Sequence, residues 1–329
     1  MGYVVLYLGA MVLGYFVGSR LRSKAEKFWF LGKVQSVCIF FMVFIMGIRM
    51  GSNEEIIMNL GSIGVKAFII TVAIFATSAL SVTVARKFMK IDKWGLPENG
   101  EDREINMEES GEIEEEASQN GNHKTTILIV VAVIAGLAAG YLIVRPLIDD
   151  METFYSICSS VMTVVLTIMC FVIGMDMGLA GQVMSQMKNA GIKVMIFTVA
   201  ILIGTTLTGI AAGLLIPGIS VKVGLAVCYG YGWYSFAPIA IASEGYITAS
   251  AISFMHNVFR ELIGIILIPV LANKIGYIEV CSFPGTAAAD IAMPVISRST
   301  RPDLIVYSVA MGIIFTFYVP ILVPLVIGL

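Results

Sequence analysis

Eight long apolar stretches run through this chain, each close to the length that a helix needs to cross a lipid bilayer. That length is about 20 residues, and lipid offers backbone groups no partners, so spanning segments are helices or closed barrels. The stretches are continuous instead of alternating, which excludes a barrel. With 58% hydrophobic and 13% charged residues, the sequence predicts an all-α polytopic membrane protein. The predicted spans cover residues 3–18, 34–50, 63–87, 125–145, 153–175, 190–216, 248–272 and 303–327.

Two further apolar segments, 219–243 and 281–297, are interrupted by glycine, proline and polar residues. Glycine and proline disfavour a regular helix. These segments therefore predict re-entrant hairpins, which enter the membrane and return to the side they came from. The expected architecture is eight transmembrane helices plus two re-entrant hairpins.

Basic residues concentrate in alternate loops, which predicts the orientation of the chain. Cytoplasmic loops are enriched in lysine and arginine. We therefore expect both termini outside, in a multi-pass protein of the cell inner (cytoplasmic) membrane, with the first helix retained and not cleaved as a signal peptide. The basic loops carry Arg20, Arg22, Lys24, Lys27 and Lys33, then Arg86, Lys87, Lys90 and Lys93; the alternate loops carry Glu54, Glu55, Asp149, Asp150 and Glu152.

Residues 98–116 are strongly acidic, with ten acids against one arginine and a local charge of −9. This composition predicts a solvated linker without a packed core, and a regulatory role in sensing a cationic solute is the alternative. The predicted units are a first three-helix repeat at 1–87, an acidic cytoplasmic linker at 88–124, a second, inverted three-helix repeat at 125–216 and hairpin–helix pairs forming a core at 217–329.

The two three-helix units are similar in sequence. Residues 44–51 align without gaps with residues 171–178 at a shift of 127, and Gly14 aligns with Gly140 after a one-residue adjustment. Each copy holds three spans, an odd number, so the copies are expected in opposite orientations across the bilayer.

A weaker pairing relates the two hairpin-plus-helix units, each of which has a proline within its hairpin, Pro238 or Pro294. Each unit holds one full span, so these units are also expected to be opposed. Inverted repeats with broken segments that meet near the midplane are typical of secondary transporters. The sequence therefore predicts a transporter.

Polar residues within the seventh predicted span are the first candidates for function. A charge at bilayer depth costs at least about 2.5–3.5 kcal/mol on insertion scales. Asn257, Arg260 and Glu261 stand at i, i+3 and i+4 and share one helix face. We expect Glu261 to face a solute or a coupling proton while Arg260 orients it or a neighbour. The alternative is a structural Arg–Glu pair that fixes packing.

The second hairpin supplies another acid, Asp290. Small residues from Gly285 onward permit close backbone approach, and Pro294 blocks a regular helix. A carboxylate at a helix break is expected to bind a cation or a proton, with helix capping as the alternative.

Glycines and aromatic residues alternate in the first hairpin. The glycines allow a sharp turn, and aromatic faces attract cations. We expect a hairpin tip that covers a cationic solute, and an interfacial aromatic belt is the alternative. The tip residues are Gly230, Gly232, Tyr234, Ser235 and Pro238, with Gly285 and Pro294 in the second hairpin.

Arg49 and Asp176 occupy equivalent repeat positions at the ends of the second and fifth spans. Snorkelling to the interface accounts for Arg49, and Asp176 is expected to be an end charge. The cysteines lack metal-ligand spacing, and the chain has no nucleotide-binding glycine loop with lysine. We therefore expect no metal, no cofactor, no nucleic-acid partner and no ATP-driven pumping.

Three of these segments resemble the bacterial lysine exporter LysO family. They are Gly230-Tyr-Gly-Trp-Tyr-Ser235, Asn257-Val-Phe-Arg-Glu-Leu262 and Gly285-Thr-Ala-Ala-Ala-Asp290-Ile-Ala-Met-Pro294. The resemblance is most specific over residues 224–298 and looser over the whole chain. It implies export of L-lysine and lysine analogues from the cytoplasm, with Glu261 and Asp290 as the two functional intramembrane acids. The acidic stretch 98–116 departs from the family pattern.

Lysine carries two ammonium groups and a carboxylate, so the two acids suit the former and a helix N-terminus suits the latter. An inward-negative potential opposes cation export by about 2.3 kcal/mol per charge per 100 mV, and proton antiport is the expected coupling. Alternatives are sodium/proton or organic-anion transport on a similar plan, a channel, and an intramembrane aspartyl protease, whose aspartate motifs are missing. Expected partners are L-lysine and related cationic amino acids, protons and membrane lipid, and a homodimer is compatible with the sequence.

Overall fold

The computed structural model describes residues 2–96, 123–181, 183–289, 291–301 and 304–328. Within these ranges the chain is helical and has no strand. The acidic stretch 98–116 and Asp290 lie outside the described residues. The helices are α1 Gly2–Leu21, α2 Leu31–Ser52, α3 Leu60–Phe88, α4 His123–Ala139, α5 Met151–Ala180, α6 Val183–Leu215, α7 Val221–Cys228, α8 Ala237–Ser243, α9 Ile247–Ile275, α10 Tyr277–Cys281, α11 Met293–Ser299 and α12 Ile305–Ile327.

Shorter helical pieces complete the chain between these elements. A 3₁₀ segment, Arg22–Phe28, follows α1, and a short helix, Glu54–Met58, follows α2. A π-helical turn at Gly140–Val144 extends α4 to Leu147. At the start of α5, Asp150 accepts a hydrogen bond from the Thr153 backbone N–H at 3.0 Å, and this bond lowers the pKa of the Asp150 carboxyl.

Several described helices are suited to a membrane by length and composition. Five meet both criteria over Leu31–Ser52, Leu60–Phe88, Met151–Leu179, Gly191–Leu215 and Ile305–Ile327. Their outward faces are apolar, with Leu207 59% and Leu214 71% exposed. A helix that is hydrophobic all round belongs in a membrane or a large core. The helices α1, α4 and α9 coincide with the remaining predicted spans.

Glycines bring α1 and α5 into close contact. In α1, Gly14 and Gly18 lie against the backbone of α5, and Gly174 and Gly178 of α5 lie against the backbone of α1. A Cβ atom at any of the four positions would overlap backbone atoms of the other helix. Small residues four apart allow helices in lipid to approach this closely.

The same arrangement joins α2 to α4. Gly47 and Gly51 of α2 face the backbone of α4, and Gly136 and Gly140 face the backbone of α2. Thus each of the first two helices makes its glycine contact with a helix that follows residue 122, and the two predicted three-helix units are interleaved.

The glycine contacts change one part of the repeat alignment. Gly14 contacts Phe171 and Gly136 contacts Phe44, two residues that are 127 positions apart. Gly18 contacts Met175 and Gly140 contacts Ile48, which are also 127 positions apart. If residues 44 and 171 are equivalent, as the alignment predicts, these contacts make Gly140 equivalent to Gly18, one helical turn away from the predicted match with Gly14. The predicted match rested on a shared Gly-Tyr pair, and an apolar helix offers few other residues to fix a register.

Contacts between the units give the relative directions of their helices. Residue numbers rise together along α1 and α5, so these helices run parallel. The helices α2 and α5 run antiparallel, because residue numbers rise along one as they fall along the other. Arg49 contacts Met162, and the hydroxyl groups of Ser52 and Tyr155 lie 3.2 Å apart. The helices α3 and α6 are also antiparallel, since Thr77 bonds Thr208 at 2.7 Å and Ser81 lies against Gly204.

The first hairpin, α7 and α8, begins and ends at one end of the bundle. The Lys222 ammonium, near its start, lies 5.2 Å from the ring of Tyr246, just beyond its end. Arg49, near the C-terminal end of α2, donates to the Ala242 carbonyl at 2.8 Å. Gly218 lies near the Lys66 side chain in the N-terminal part of α3. The hairpin therefore opens toward the C-terminal end of α2 and the N-terminal end of α3.

The second hairpin, α10 and α11, opens toward the other end of α3. The Tyr277 backbone N–H donates to the Lys93 carbonyl at 2.9 Å. The Leu304 side chain, after the hairpin, lies beside Gly95. Residues 93 and 95 follow the C-terminal end of α3, so the two hairpins enter the bundle from opposite ends.

A buried ion pair fixes the start of the second hairpin. The Arg86 Nε lies 2.8 Å from Glu279 Oε1, and the two side chains are 9% and 0% exposed. Thr83 donates to the same oxygen at 2.9 Å, and Arg86 Nη1 donates to the Ile91 carbonyl at 2.9 Å. The pair ties α3 to α10.

Glu279→Gln is expected to lower the free energy of unfolding by about 3–5 kcal/mol, because it leaves the Arg86 charge buried without its counter-ion. The matched control is Glu54→Gln, which breaks the exposed Arg145–Glu54 pair, 2.7 Å long with side chains 35% and 55% exposed. That change is expected to cost about 0–1 kcal/mol. Thermal unfolding of both purified variants measures the difference, and equal shifts would contradict it.

Candidate functional site

The two hairpins meet at their breaks, inside the bundle. The Thr286 backbone N–H donates to the Tyr231 carbonyl at 2.8 Å. Gly285, with φ +65°, fits directly against that carbonyl, and Gly232, with φ +83°, faces the carbonyl of Pro284. Glycine tolerates both the positive φ and the close approach. This contact, the hairpin junction, consists of Tyr231 and Gly232 on one side and Pro284 to Thr286 on the other.

Asn257 on α9 holds the first half of the hairpin junction. Its Oδ1 accepts from the Gly232 backbone N–H at 2.8 Å, and its Nδ2 donates to the Ser253 carbonyl at 2.8 Å. A Cβ at Gly230 would overlap the Asn257 amide. Asn257 is fully buried, so its amide replaces the backbone partners that the broken helix lacks.

Arg260, one turn further along α9, contacts Tyr231 of the hairpin junction and the residues of the second hairpin that immediately precede it. Its Nε donates to the Phe283 carbonyl at 3.2 Å and its Nη2 to the Ser282 carbonyl at 3.5 Å. Its Cζ lies 5.0 Å from the centre of the Tyr231 ring, within cation–π range. The side chain is 0% exposed, and Nη1 has no hydrogen-bond partner among the described residues.

Glu261 follows Arg260 on α9 and is 4% exposed. A carboxylate at this depth is favoured only when it is paired or protonated. It lies on the helix that supports the hairpin junction and is the neighbour in sequence of Arg260, which contacts both hairpins.

The remaining predicted tip residues follow the hairpin junction in sequence along the two hairpins. Tyr234, Ser235 and Pro238 are buried. Pro238 and Pro294 each occupy the first turn of a hairpin's returning arm, α8 or α11. A proline there costs no hydrogen bond, so both prolines start a helix instead of interrupting one.

The aromatic residues of the first hairpin face protein. Tyr231 is 0% exposed and stacks on Phe315 with ring centres 4.6 Å apart. Tyr234 is 8% exposed and makes an edge contact with Phe254. These rings therefore shape the interior around the hairpin junction and do not lie on a lipid-facing surface.

His256 has a different set of contacts from its neighbour Asn257. Its Nδ1 lies 2.9 Å from the Thr71 hydroxyl on α3, and its Nε2 has no hydrogen-bond partner among the described residues. Thr71 also donates to the Ala67 carbonyl at 2.7 Å. Within the described residues, no group of three or more His, Cys, Asp or Glu side chains is placed to hold a metal ion.

Arg49 does not snorkel, contrary to the prediction. It is 1% exposed, and its guanidinium turns toward the first hairpin and the Ala242 carbonyl. The carbonyl at the end of α8 offers it a partner inside the protein, and no local sequence feature indicates that. Asp176, at the equivalent repeat position, is exposed.

Comparisons with known proteins give the same family over most of the chain. A family model described as "Lysine exporter LysO" matches residues 8–94 and 130–327. The protein named "Lysine exporter LysO" of Escherichia coli (strain K12) is 22% identical over 328 residues, which cover 97% of each chain. A Haemophilus influenzae protein named "Putative lysine exporter" is 26% identical over 127 residues, 39% of this chain and 62% of that protein. No solved structure matches.

Proposed function

Because the chain belongs to the lysine exporter LysO family, we propose that it exports L-lysine and lysine analogues from the cytoplasm by proton antiport. The observation that carries this proposal is the hairpin junction: two broken segments enter from opposite ends and meet beside the buried Arg260, which the buried Glu261 follows on α9. Secondary transporters bind their solutes between broken helices of this kind.

Family membership and the apolar helices make this a multi-pass protein of the inner membrane. The family is named for transport and not for an enzymatic reaction. The exposed apolar side chains of the long helices form the surface that contacts lipid.

We also propose the full architecture of eight spans, two re-entrant hairpins and both termini outside. Three contacts support an inverted repeat of 1–87 and 125–216: α1 runs parallel to α5, α2 runs antiparallel to α5, and α3 runs antiparallel to α6. If the two units are copies, equivalent helices point in opposite directions. Residues 217–329, which contain both hairpins, then form the transport core, and 88–124 links the two repeats on the cytoplasmic side.

In the proposed mechanism, Glu261 and Asp290 receive lysine ammonium groups or protons in alternation. A carboxylate that has lost its proton attracts the ammonium group, and protonation removes that attraction. Exchange of one proton for each lysine cation moves no net charge, so the membrane potential no longer opposes export. Arg260 and Asn257 hold the two breaks in register while the acids change state.

Counterflow in proteoliposomes tests the proposal with the wild-type chain. Vesicles preloaded with unlabelled L-lysine are expected to accumulate labelled lysine saturably, and an imposed pH gradient is expected to drive net lysine movement against protons. A panel of ornithine, arginine, neutral amino acids and organic anions sets the specificity. Sodium-dependent proton flux without lysine counterflow would favour a sodium/proton exchanger, and counterflow of organic anions alone would favour the organic-anion alternative.

A further inference from the structure

A polar cavity of about 600 Å³ opens beside the first hairpin, at the C-terminal end of α2. We call it the Arg49 cavity. Arg49, Glu244 and side chains of α5 line it, and every lining residue except a glycine has a polar side chain. Ligand pockets commonly measure about 300–1,000 Å³, so its volume suits a small solute.

Arg49 contributes a buried positive charge to the Arg49 cavity. Its Nη1 donates to the Ala242 carbonyl at 2.8 Å, and its Cζ lies 5.7 Å from the Tyr155 ring. Its Nε has no hydrogen-bond partner, and no ion pair to Arg49 is formed within the described residues. A desolvated guanidinium without a counter-ion is costly, and a bound carboxylate would supply that counter-ion with two parallel hydrogen bonds.

The other polar groups of the Arg49 cavity favour ammonium ligands. Ser160, Thr163 and Ser243 each donate their single hydroxyl proton to a carbonyl of their own segment. These hydroxyl oxygens can therefore only accept a hydrogen bond from a ligand. Glu244 adds a carboxylate in the same cavity. The lining thus combines one buried guanidinium with several acceptors.

We propose that the Arg49 cavity is a second binding site for the transported amino acid, separate from the hairpin junction. Arg49 binds the α-carboxylate, and Glu244 with the neighbouring hydroxyl oxygens binds the ammonium groups. In the proposed orientation this end of the bundle is outside, so the site holds the solute on its way out. The ligand class rests on the proposed function, whereas the carboxylate-binding role of Arg49 rests on the geometry alone.

Binding measurements on the purified full-length protein in nanodiscs test the carboxylate contact. L-lysine and cadaverine, which lacks the carboxylate, are the paired probes. Arg49→Gln is expected to weaken lysine binding at least about tenfold, as for the loss of a hydrogen bond to a charged group, and to leave cadaverine binding unchanged. Arg145→Gln is the control, because Arg145 pairs with the exposed Glu54, lies over the Tyr141 ring and does not line the Arg49 cavity. Equal losses for both probes, or no loss for lysine, would overturn the site.

Labelling of a single introduced cysteine locates the bound solute without relying on transport. Ser160 is exposed and lines the Arg49 cavity, so Ser160→Cys is placed in a Cys158→Ala background and treated with a membrane-impermeant thiosulfonate. The same background without Ser160→Cys corrects for the other cysteines. Lysine is expected to slow labelling severalfold in right-side-out vesicles, less so with Arg49→Lys, which keeps the charge but loses the planar fork. Labelling that ignores lysine contradicts the proposal.

The same assays separate failure of this site from failure of the proposed function. If another amino acid protects Ser160→Cys and requires Arg49 while lysine does neither, the carboxylate site stands and lysine is the wrong solute. If lysine is transported but never protects Ser160→Cys, export stands and the Arg49 cavity is not a binding site.

Discussion

Glu261→Gln is expected to reduce lysine-driven proton movement in proteoliposomes to the level of protein-free vesicles. Glutamine keeps the size of the buried side chain and one of its acceptor oxygens, replaces the other oxygen with an NH2 group, and can neither gain nor lose a proton near neutral pH. Coupling through Glu261 is therefore removed while packing on α9 is retained. The measurement is the internal pH of vesicles after a lysine gradient is imposed, with Asp290→Asn prepared in parallel.

Lysine counterflow distinguishes two roles of Glu261: carrying the proton alone, or carrying the proton and also binding an ammonium group. If Glu261 carries only the proton, lysine–lysine exchange survives in Glu261→Gln. If it also binds an ammonium group, exchange falls at least about tenfold, as for the loss of a hydrogen bond to a charged group. Glu152→Gln, an exposed acid in the first turn of α5, is the control and should behave as wild type. Undiminished proton movement in both Glu261→Gln and Asp290→Asn would rule out the proposed coupling.

Gly285→Ala is expected to disrupt the hairpin junction and to reduce transport strongly. A Cβ at this position would overlap the Tyr231 carbonyl oxygen, and the backbone has φ +65°. The conformation alone costs about 1–3 kcal/mol for a residue other than glycine. The overlap adds to that cost, so the Tyr231–Thr286 hydrogen bond is expected to break. We expect a lower unfolding temperature and a loss of counterflow of at least about tenfold, given about 1.4 kcal/mol per factor of ten.

Gly32→Ala is the control for that experiment, because nothing lies within 4 Å of a Cβ built at Gly32. Alanine there fits a helix better than glycine does, and neither stability nor transport should fall. Counterflow at the wild-type rate in Gly285→Ala would show that the hairpin junction is not needed for the transport cycle.

The sequence predicted the presence of the long helices better than their ends. Each predicted span coincides with a long helix, but α5 ends at Ala180, where the prediction ended at 175. In α6 the prediction began at 190, next to the non-helical Gly191 (φ +65°) that separates the start of α6 from its apolar part. The length of an apolar run measures the part of a helix that prefers lipid. The helix itself continues beyond that run into polar surroundings where local hydrogen bonds stabilise its end. The bond between Asp150 and Thr153 is such a support, and it sets the start of α5.

The partners of the helices and polar residues could not be read from the chain. The four-residue spacing of Gly14 and Gly18 indicates a close helix contact, yet nothing local shows that α5 makes it. Helical periodicity places Asn257 and Arg260 on one face, but the carbonyl groups they hold come from hairpins distant in sequence. Arg49 is the clearest case. An arginine at a helix end either extends to the membrane interface or is buried in the protein, and the local sequence is the same for both.

The interleaved glycine contacts have a consequence for how the protein is made. The glycine faces of α1 and α2 are covered by α5 and α4, which the ribosome synthesises only after the acidic linker. At about 5–20 residues per second, the first three helices wait in the membrane for on the order of ten seconds with those faces open. During that interval the glycine faces of α1 and α2 have not yet met their native partners. Of those partners α5 is synthesised last, so the native glycine contacts are complete only after α5 has emerged.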